Sequence, residues 1–332
     1  MKHLLLLTFL LASLAVNAQT TDSIQQILNQ IIQHAETASL YRNRVNWDSL
    51  RARVQELAQN AKTVSELSPA LKHLLKTQHG RIFHQNQMLA YYFGEPKPHQ
   101  KTFNPQIFGQ VQSGQVYPFE GKLLNQNIGY VRIVGLPMGD NQQMSKVIED
   151  EVCRLIGQGA DRWIIDLRYN GGGNLMPMAE GLAAVIGNAA VGGSEGLSSA
   201  QNDVWQIKDG DFYYNDYTVQ LENHCKLKKA PKVAVLTSVY TVSSGEALAV
   251  MFKGRKQTRF FGEKTGGMIT VTDWTVLDPL TAMTISVSYY KDRNGNVYRE
   301  YVDVDEEVPF VVTPLSEADL CVNRAIEWLK KK

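Results

Sequence analysis

Apolar residues recur every three or four positions through the first part of the chain. Ile24, Ile27, Leu28, Ile31 and Ile32 have this spacing, which predicts an amphipathic helix. The same period recurs over residues 50–57 and 67–75, and the helical pattern extends to about Gln87. These segments predict a small helical domain over residues 19–95.

From residue 128 onward, short apolar runs alternate with amphipathic segments. The runs at 128–134, 163–167 and 233–236 are short and β-rich, as buried strands are. Helical spacing follows at 142–156, 176–182 and 245–252. Strand-like segments then lie at 260–262, 270–275 and 282–290, and a closing helix lies at 316–330. This alternation predicts an α/β core domain over residues 128–332 with a mostly parallel sheet. Residues 96–127, which begin with Pro96 and Pro98, are interpreted as a linker and strand segment.

The first eighteen residues have the pattern of a secretory signal peptide. A short basic start precedes an apolar run over 4–16, and Val16-Asn17-Ala18 is a small-residue cleavage site. The run is shorter than the ~18 apolar residues that suggest a spanning helix. We therefore expect an exported protein, periplasmic or secreted, that begins at Gln19 and has no membrane span after cleavage.

Composition narrows the possible functions. The 332 residues include 34 Lys and Arg against 33 Asp and Glu, for a net charge of +1, which argues against binding to nucleic acid by bulk electrostatics. Hydrophobic residues make up 44% of the chain, as in ordinary globular proteins. Cys153, Cys225 and Cys321 are too few for a disulfide framework, and their spacing does not predict a zinc site. Export would permit one disulfide, but the sequence leaves the pairing open.

Two glycine- and serine-containing segments directly follow predicted strands. Residues 166–173 read DLRYNGGG, and consecutive glycines at the end of a strand expose backbone N–H groups that can bind an oxyanion. Residues 241–246 read TVSSGE, which places a serine at a helix N-terminus, where the dipole favours an attacking alkoxide. Each segment also has an ordinary structural explanation: a turn that needs positive φ for the first, and a capping box of Ser243 with Glu246 for the second.

In combination with GEKTGG at 262–267, these segments resemble the C-terminal processing, or tail-specific, serine peptidases and their tricorn-like branch. The resemblance covers about residues 128–309 and implies a crotonase- or ClpP-like βα superhelix. It implies that Ser243 is the nucleophile and that Glu246 is the acidic residue that marks it. It also implies an oxyanion hole formed by the backbone N–H groups of Ser244 and Gly172.

The residues that would activate Ser243 depart from the tail-specific branch. Where those enzymes have a lysine base this chain has Met268, and Lys264 lies elsewhere in the same loop. The tricorn-like branch uses a histidine from an earlier helical segment, which is similar to the context of His79 here. His73 and His84 are nearby competitors without that resemblance.

The resemblance also implies an acid shortly before a proline near the end of the core. Asp303 has the best spacing before Pro309, and Asp305 is the alternative. The segment 103–127 is too short for a PDZ domain, so we expect none.

Two functions remain open. The first is an exported serine peptidase acting on protein or peptide substrates through Ser243, His79 and an acid, with no metal or organic cofactor implied. The alternative is a catalytically inactive protein on the same fold that binds peptides or small hydrophobic ligands, since a fold does not guarantee a function. Hydrogen-bond reach between His79 and Ser243 would favour the enzyme.

Overall fold

The computed structural model describes residues 21–76, 79–92, 97–113, 119–222, 224–310 and 319–331. The predicted signal peptide lies outside the described residues. The chain divides into two compact units, the first formed by residues up to 93 with 273–285, and the second by residues 94–272 with 286–332. None of the helices in the described ranges is long and apolar enough to cross a membrane.

The first unit contains three helices and a β-hairpin. They are α1 (Thr21–Ala38), α2 (Trp47–Ala58), α3 (Ser68–Leu75), β1 (Gly80–His84) and β2 (Gln87–Tyr92). The apolar stripe of α1 is fully buried at Ile24, Leu28 and Ile31, as its spacing predicts. The hairpin differs from the expected helical pattern, because β1 pairs antiparallel with residues 281–284 as well as with β2. A partner strand from the far end of the sequence is invisible to local periodicity.

The second unit contains the remaining elements. Its helices are α4 (Pro105–Gln112), α5 (Asn141–Gly157), α6 (Leu175–Gly181), α7 (Ala183–Ile186), α8 (Ser244–Phe252) and α9 (Leu320–Lys330). Its strands are β3 (Glu120–Leu124), β4 (Ile128–Arg132), β5 (Arg162–Asp166), β6 (Ala189–Gly196), β7 (Val204–Lys208), β8 (Asp211–Tyr214), β9 (Tyr217–Thr218), β10 (Lys232–Thr237), β11 (Thr258–Gly262) and β14 (Glu306–Glu307). Two further strands, β12 (Thr270–Asp278) and β13 (Thr281–Asp292), contribute residues to both units.

A six-stranded sheet in the order β14-β11-β10-β5-β4-β3 forms the centre of the second unit. Its strands pair in parallel except for β3 with β4. The apolar side of α9 packs on it, where Val322 and Ala325 join a buried cluster with Ile164 and Leu236. Because β5, β10 and β11 are adjacent and parallel, the three motif-bearing loops that follow them begin at the same edge of the sheet.

The other strands of the second unit pair antiparallel. The later part of β13 pairs with β6, and β6, β7, β8 and β9 follow one another. The α/β class is therefore confirmed, whereas a mostly parallel arrangement describes only the six-stranded sheet. Hairpin connections explain the difference, since short loops such as Asp209-Gly210 between β7 and β8 can join only antiparallel strands.

One disulfide lies in the second unit. Cys153 on α5 is bonded to Cys225 with a Cα–Cα distance of 5.4 Å, and Cys321 is free and buried. The bond attaches the segment after β9 to α5. This answers the pairing that the sequence left open.

Candidate active site

Ser243 lies at the turn between β10 and α8 in an unusual backbone conformation. Its φ is 54° and its ψ is −123°. A helix-capping serine normally has extended backbone angles, and a non-glycine residue in this region costs about 1–3 kcal/mol. Sharp strand-to-helix turns of this kind hold the nucleophile of α/β-hydrolases above the sheet. Ser243 and Glu246 do form the capping box that the sequence allows, but in a backbone conformation that an ordinary cap does not require.

Glu246 holds this turn in place through hydrogen bonds. Its carboxylate is fully buried and accepts hydrogen bonds from the Ser243 N–H at 3.0 Å, the Gly267 N–H at 2.8 Å and the Thr265 hydroxyl. Burial raises the pKa of Glu246 to about 7, although the three donors and the Lys97 charge lower it. The GEKTGG loop thus supplies two of the donors that hold the serine turn in place.

The glycine loop after β5 lies directly against Ser243. Gly172 has φ +88°, and a Cβ added there would lie 2.7 Å from Ser243 Cβ and 3.3 Å from its Oγ. Asn170 joins the two loops, because its carbonyl accepts from the Val242 N–H at 3.0 Å. Glycine is therefore required at 172 by both conformation and space.

The two predicted oxyanion donors differ in their present partners. Ser244 is the first residue of α8, so its N–H has no acceptor within the helix. The Gly172 N–H donates to Asn170 Oδ1 at 3.0 Å. The Ser244 side chain points elsewhere and donates to the Gly173 carbonyl at 2.6 Å. The loop thus brings Ser243, Ser244 and Gly172 together, with Asn170 as a side chain that the sequence analysis did not single out.

The first three residues of the DLRYNGGG segment have a structural role. Arg168 is almost fully buried and forms paired hydrogen bonds with Asp166, at 2.9 and 2.7 Å, and with Asp319, at 3.0 and 2.9 Å. Asp319 caps α9 by accepting from the Val322 N–H. Breaking a buried ion pair of this kind leaves an uncompensated charge, so these residues fix the base of the loop.

Tyr290 on β13 is a second residue that the sequence analysis missed. Its hydroxyl is close enough to Ser243 for that side chain to lower the pKa of Tyr290, and its ring packs 5.7 Å from that of Trp205. Burial and the nearby Glu246 charge raise the pKa of Tyr290, which keeps the phenol protonated. No motif marks this tyrosine, because it reaches the site from a strand that follows Ser243 by almost fifty residues.

The alternative lysine base is engaged elsewhere. Lys264 Nζ lies 3.4 Å from the Tyr301 hydroxyl and 3.9 Å from Asp303 Oδ1. The hydrogen bond with Tyr301 and the Asp303 charge raise the pKa of Lys264, which disfavours the neutral amine that a base requires. Met268 is buried next to Gly267 in the same loop.

The two candidate acids are both exposed and have different partners. The Asp303 side chain is 62% exposed, and its Oδ1 accepts from the Val304 N–H at 2.9 Å and lies 3.9 Å from Lys264 Nζ. Asp305 Oδ2 accepts from the Phe260 N–H at 2.7 Å, which ties it to β11. The assignment of Asp303 as the acid therefore stays a prediction.

The three candidate histidines all belong to the first unit. His79 immediately precedes β1, and His73 lies on α3. His84 is buried on β1, where its Nδ1 lies 3.0 Å from the Thr281 hydroxyl. Because Ser243 belongs to the second unit, the assignment of His79 as its base stays a prediction.

An apolar pocket of about 250 Å³ lies beside the glycine loop. It is lined by Phe119, Ile133, Val134, Leu136, Gln143, Met144, Val147 and Ile148. Leu136 connects the pocket to the loop, since its N–H donates to the Gly172 carbonyl at 3.2 Å. An apolar side chain bound here would therefore lie next to the strand segment that touches Gly172.

The chain is similar to several known proteins. The chain is 24% identical over 315 residues to the nisin-resistance protein of Lactococcus lactis subsp. lactis, which covers 93% of this chain and 88% of that protein. The fold resembles a lipoprotein from Streptococcus agalactiae, with a TM-score of 0.67 and 19% identity over 92% of this chain and 96% of that one. It also resembles a putative peptidase from Parabacteroides merdae, with a TM-score of 0.61 and 17% identity over 93% and 97% of the two chains.

A third fold match bears on the resemblance found in the sequence. The photosystem II D1 C-terminal processing protease has a TM-score of 0.52 and 15% identity over 86% of this chain and 93% of that one. The family model for peptidase family S41 matches residues 127–308, which is more than half of the chain and contains all three motif loops. The resemblance to C-terminal processing peptidases is thereby confirmed, and the chain belongs to peptidase family S41.

Proposed function

We propose that this protein is an exported serine peptidase that cleaves peptide bonds with Ser243 as its nucleophile. The observation that carries the proposal is the strained backbone of Ser243, at φ 54° and ψ −123°, directly opposite the side-chain-free face of Gly172. Strain of this kind persists where the surroundings impose it, and here Glu246 and the glycine loop do so.

The reaction follows from these positions. Ser243 Oγ attacks the peptide carbonyl while a base takes its proton, and the carbonyl oxygen becomes an oxyanion held by backbone N–H groups. The Ser244 N–H is one donor. The Gly172 N–H is the second donor, and it bonds both Asn170 Oδ1 and the oxyanion.

We assign the proton transfer to His79, oriented by Asp303. The imidazole returns the proton to the leaving amine, and the acyl-enzyme is then hydrolysed by water activated in the same way. An unperturbed histidine titrates near pH 6.5, so it can serve as a base at neutral pH.

The pocket beside the glycine loop indicates which peptide substrates are preferred. Its lining is almost entirely aliphatic or aromatic, so it favours peptides with an apolar side chain next to the cleaved bond. Nisin is one of the peptides to be tried, because a relative of this chain is named for resistance to it.

Export is part of the proposal. The N-terminal pattern, the Cys153–Cys225 disulfide and the similarity to a lipoprotein support an extracytoplasmic location. N-terminal sequencing of the exported protein should begin at Gln19, and a chain beginning at Met1 would contradict signal cleavage.

The central experiment is labelling of the mature protein with a fluorophosphonate probe. Ser243→Ala should abolish labelling, because the probe reacts with an activated serine. Ser244→Ala should retain it, because the neighbouring hydroxyl only contacts the Gly173 carbonyl. Labelling that survives Ser243→Ala but not Ser244→Ala would overturn the assignment.

A second pair of variants tests the base. His79→Ala should lower turnover of a peptide substrate by at least about a thousandfold, since a triad without its base retains mainly oxyanion and binding effects. His73→Ala on α3 is the matched control and should leave turnover near normal. If the His79→Ala variant hydrolyses the peptide at the normal rate, the assignment of His79 as the base is wrong. If the wild-type protein neither hydrolyses peptides nor labels, the inactive binding protein becomes the better interpretation.

A further inference from the structure

A group of ligating side chains lies in the second unit, built from none of the residues around Ser243. Glu180 on α6, Asp211 on β8 and His224, after β9, each offer one atom, and these atoms lie within 4.8 Å of one another. Carboxylate oxygen and imidazole nitrogen together form the donor set that Zn²⁺ and similar ions prefer.

One of these atoms is buried without a hydrogen bond. Glu180 is 1% exposed, and its Oε2 accepts from the Phe212 N–H at 2.7 Å. Its Oε1 is buried and finds no donor among the described residues. A buried carboxylate oxygen without a donor is unfavourable, and a bound cation would supply the missing partner.

The histidine is oriented as metal-binding histidines are. His224 Nδ1 lies 2.7 Å from Glu149 Oε1, and its Nε2 lies 3.1 Å from Asp211 Oδ1. A carboxylate that holds one ring nitrogen leaves the other directed at the ion. Here Glu149 plays that part, and Nε2 is the nitrogen that faces Asp211.

The surrounding chain holds the histidine in this place. Cys225, the next residue, is bonded to Cys153 on α5, one helical turn from Glu149. Gly210 provides room for the ring, because a Cβ there would lie 2.6 Å from His224 Cγ. Together with Glu149, the cluster contains three carboxylates and a single imidazole. Its net charge therefore stays negative even when His224 is protonated.

We propose that Glu180, Asp211 and His224 bind one divalent transition-metal ion of the Zn²⁺ class, with Glu149 orienting His224. Tetrahedral bonds of about 2.1 Å place ligand atoms about 3.4 Å apart. His224 Nε2 and Asp211 Oδ1 are 3.1 Å apart, and all three ligand atoms lie within 4.8 Å of one another, so small side-chain movements complete the site. Bound there, the ion connects α6, β8 and the segment that contains His224 and Cys225. Its role is therefore to stabilise the second unit, separately from the peptidase reaction.

The test uses the purified mature protein after treatment with a chelator and dialysis. Titration with Co²⁺, followed by its visible absorption, and with Zn²⁺, followed by calorimetry, should show one equivalent bound. Saturating Zn²⁺ should raise Tm by several degrees, because the ion binds only the folded site. His224→Ala, Glu180→Gln and Asp211→Asn should each weaken binding at least tenfold, whereas the control Asp209→Asn, in the adjacent turn, should not.

The metal-free variants distinguish a lost ligand from a damaged fold. Without metal, the Glu180→Gln variant should have a Tm equal to or above that of wild type, because the substitution removes an uncompensated buried carboxylate. With Zn²⁺ present, the Tm of the variant should be below that of wild type. The proposal is overturned if wild type binds no ion, if the three variants bind as tightly as wild type, or if Ca²⁺ stabilises as well as Zn²⁺. None of these readouts depends on Ser243, so they separate this proposal from the peptidase assignment.

Discussion

Tyr290 lies close to the serine that is expected to attack the substrate. The Ser243 side chain lowers the pKa of the Tyr290 phenol, while the Tyr290 ring is held by packing against Trp205. We therefore expect the Tyr290 hydroxyl to help orient the Ser243 hydroxyl during the reaction.

Tyr290→Phe should lower kcat about three- to tenfold with little change in KM, since we expect its hydroxyl to bond Ser243 in the reacting complex and one such bond contributes about 0.5–1.5 kcal/mol. Steady-state hydrolysis and the rate of probe labelling measure the effect. Tyr298→Phe is the control, because it removes a hydroxyl that donates to Asp292 at 3.0 Å. Equal rates for Tyr290→Phe and wild type would remove Tyr290 from the site.

The close approach of Gly172 to Ser243 predicts the effect of adding one methyl group at position 172. Gly172→Ala should abolish labelling, because its Cβ would lie 2.7 Å from Ser243 Cβ. Gly187 has the same φ of +88° with nothing within 4 Å of an added Cβ. Gly187→Ala therefore carries a similar conformational penalty of about 1–2 kcal/mol but should keep full labelling. Comparable loss in both variants would show that strain, not contact with Ser243, is responsible.

The disulfide stabilises the contact between α5 and the segment after β9. Cys153 and Cys225 are 72 residues apart, and closing a loop of this length stabilises a fold by about 4 kcal/mol in the chain-entropy model. Cys153→Ser with Cys225→Ser should therefore lower the free energy of unfolding by about 2–4 kcal/mol, measured by urea denaturation.

Reduction of the wild-type protein should reproduce this loss. Cys153→Ser with Cys225→Ser lacks the bond, so its stability should not respond to reductant, whereas Cys321→Ala keeps the disulfide and should lose stability on reduction as wild type does. A wild-type protein whose urea midpoint is unchanged by reductant would contradict the predicted contribution of the disulfide.

Two buried carboxyl groups make the stability of the whole protein depend on pH. Burial raises the pKa of Glu180 and of Glu246 from 4.5 to about 7. Between these values the folded state binds more protons than the unfolded state, so stability increases as pH falls from about 7 to about 4.5. Each group contributes at most ~1.4 kcal/mol per pH unit.

Two histidines modify this dependence. Burial lowers the pKa of His224, but its bond with Glu149 and the nearby carboxylates outweigh burial and raise it, so its contribution is also lost as pH rises. Burial lowers the pKa of His34, which acts in the opposite direction. Denaturation of metal-free protein between pH 5 and 8 should show higher stability at the acidic end, with a smaller slope for Glu180→Gln. Stability that increases steadily toward pH 8 would contradict this prediction.

Local patterns predicted much of the second unit. The helix expected at 142–156 is α5 (Asn141–Gly157), and the strand expected at 233–236 is β10 (Lys232–Thr237). Both have a strong apolar period that depends only on neighbouring residues. The hairpin of β1 and β2 was missed because its strands are completed by β13, about two hundred residues later.

The sequence by itself determined the order of strand, loop and helix around Ser243, and with it the family. Motif loops are contiguous in the chain, so their spacing is visible without a fold. Only the tertiary structure decided which cysteines pair, that Ser243 adopts a strained turn, and that Tyr290 lies close to it. It alone brought Glu149, Glu180, Asp211 and His224 together from four separate elements. The physical reason is that packing of distant elements sets side-chain distances, whereas periodicity records only which face of each element is buried.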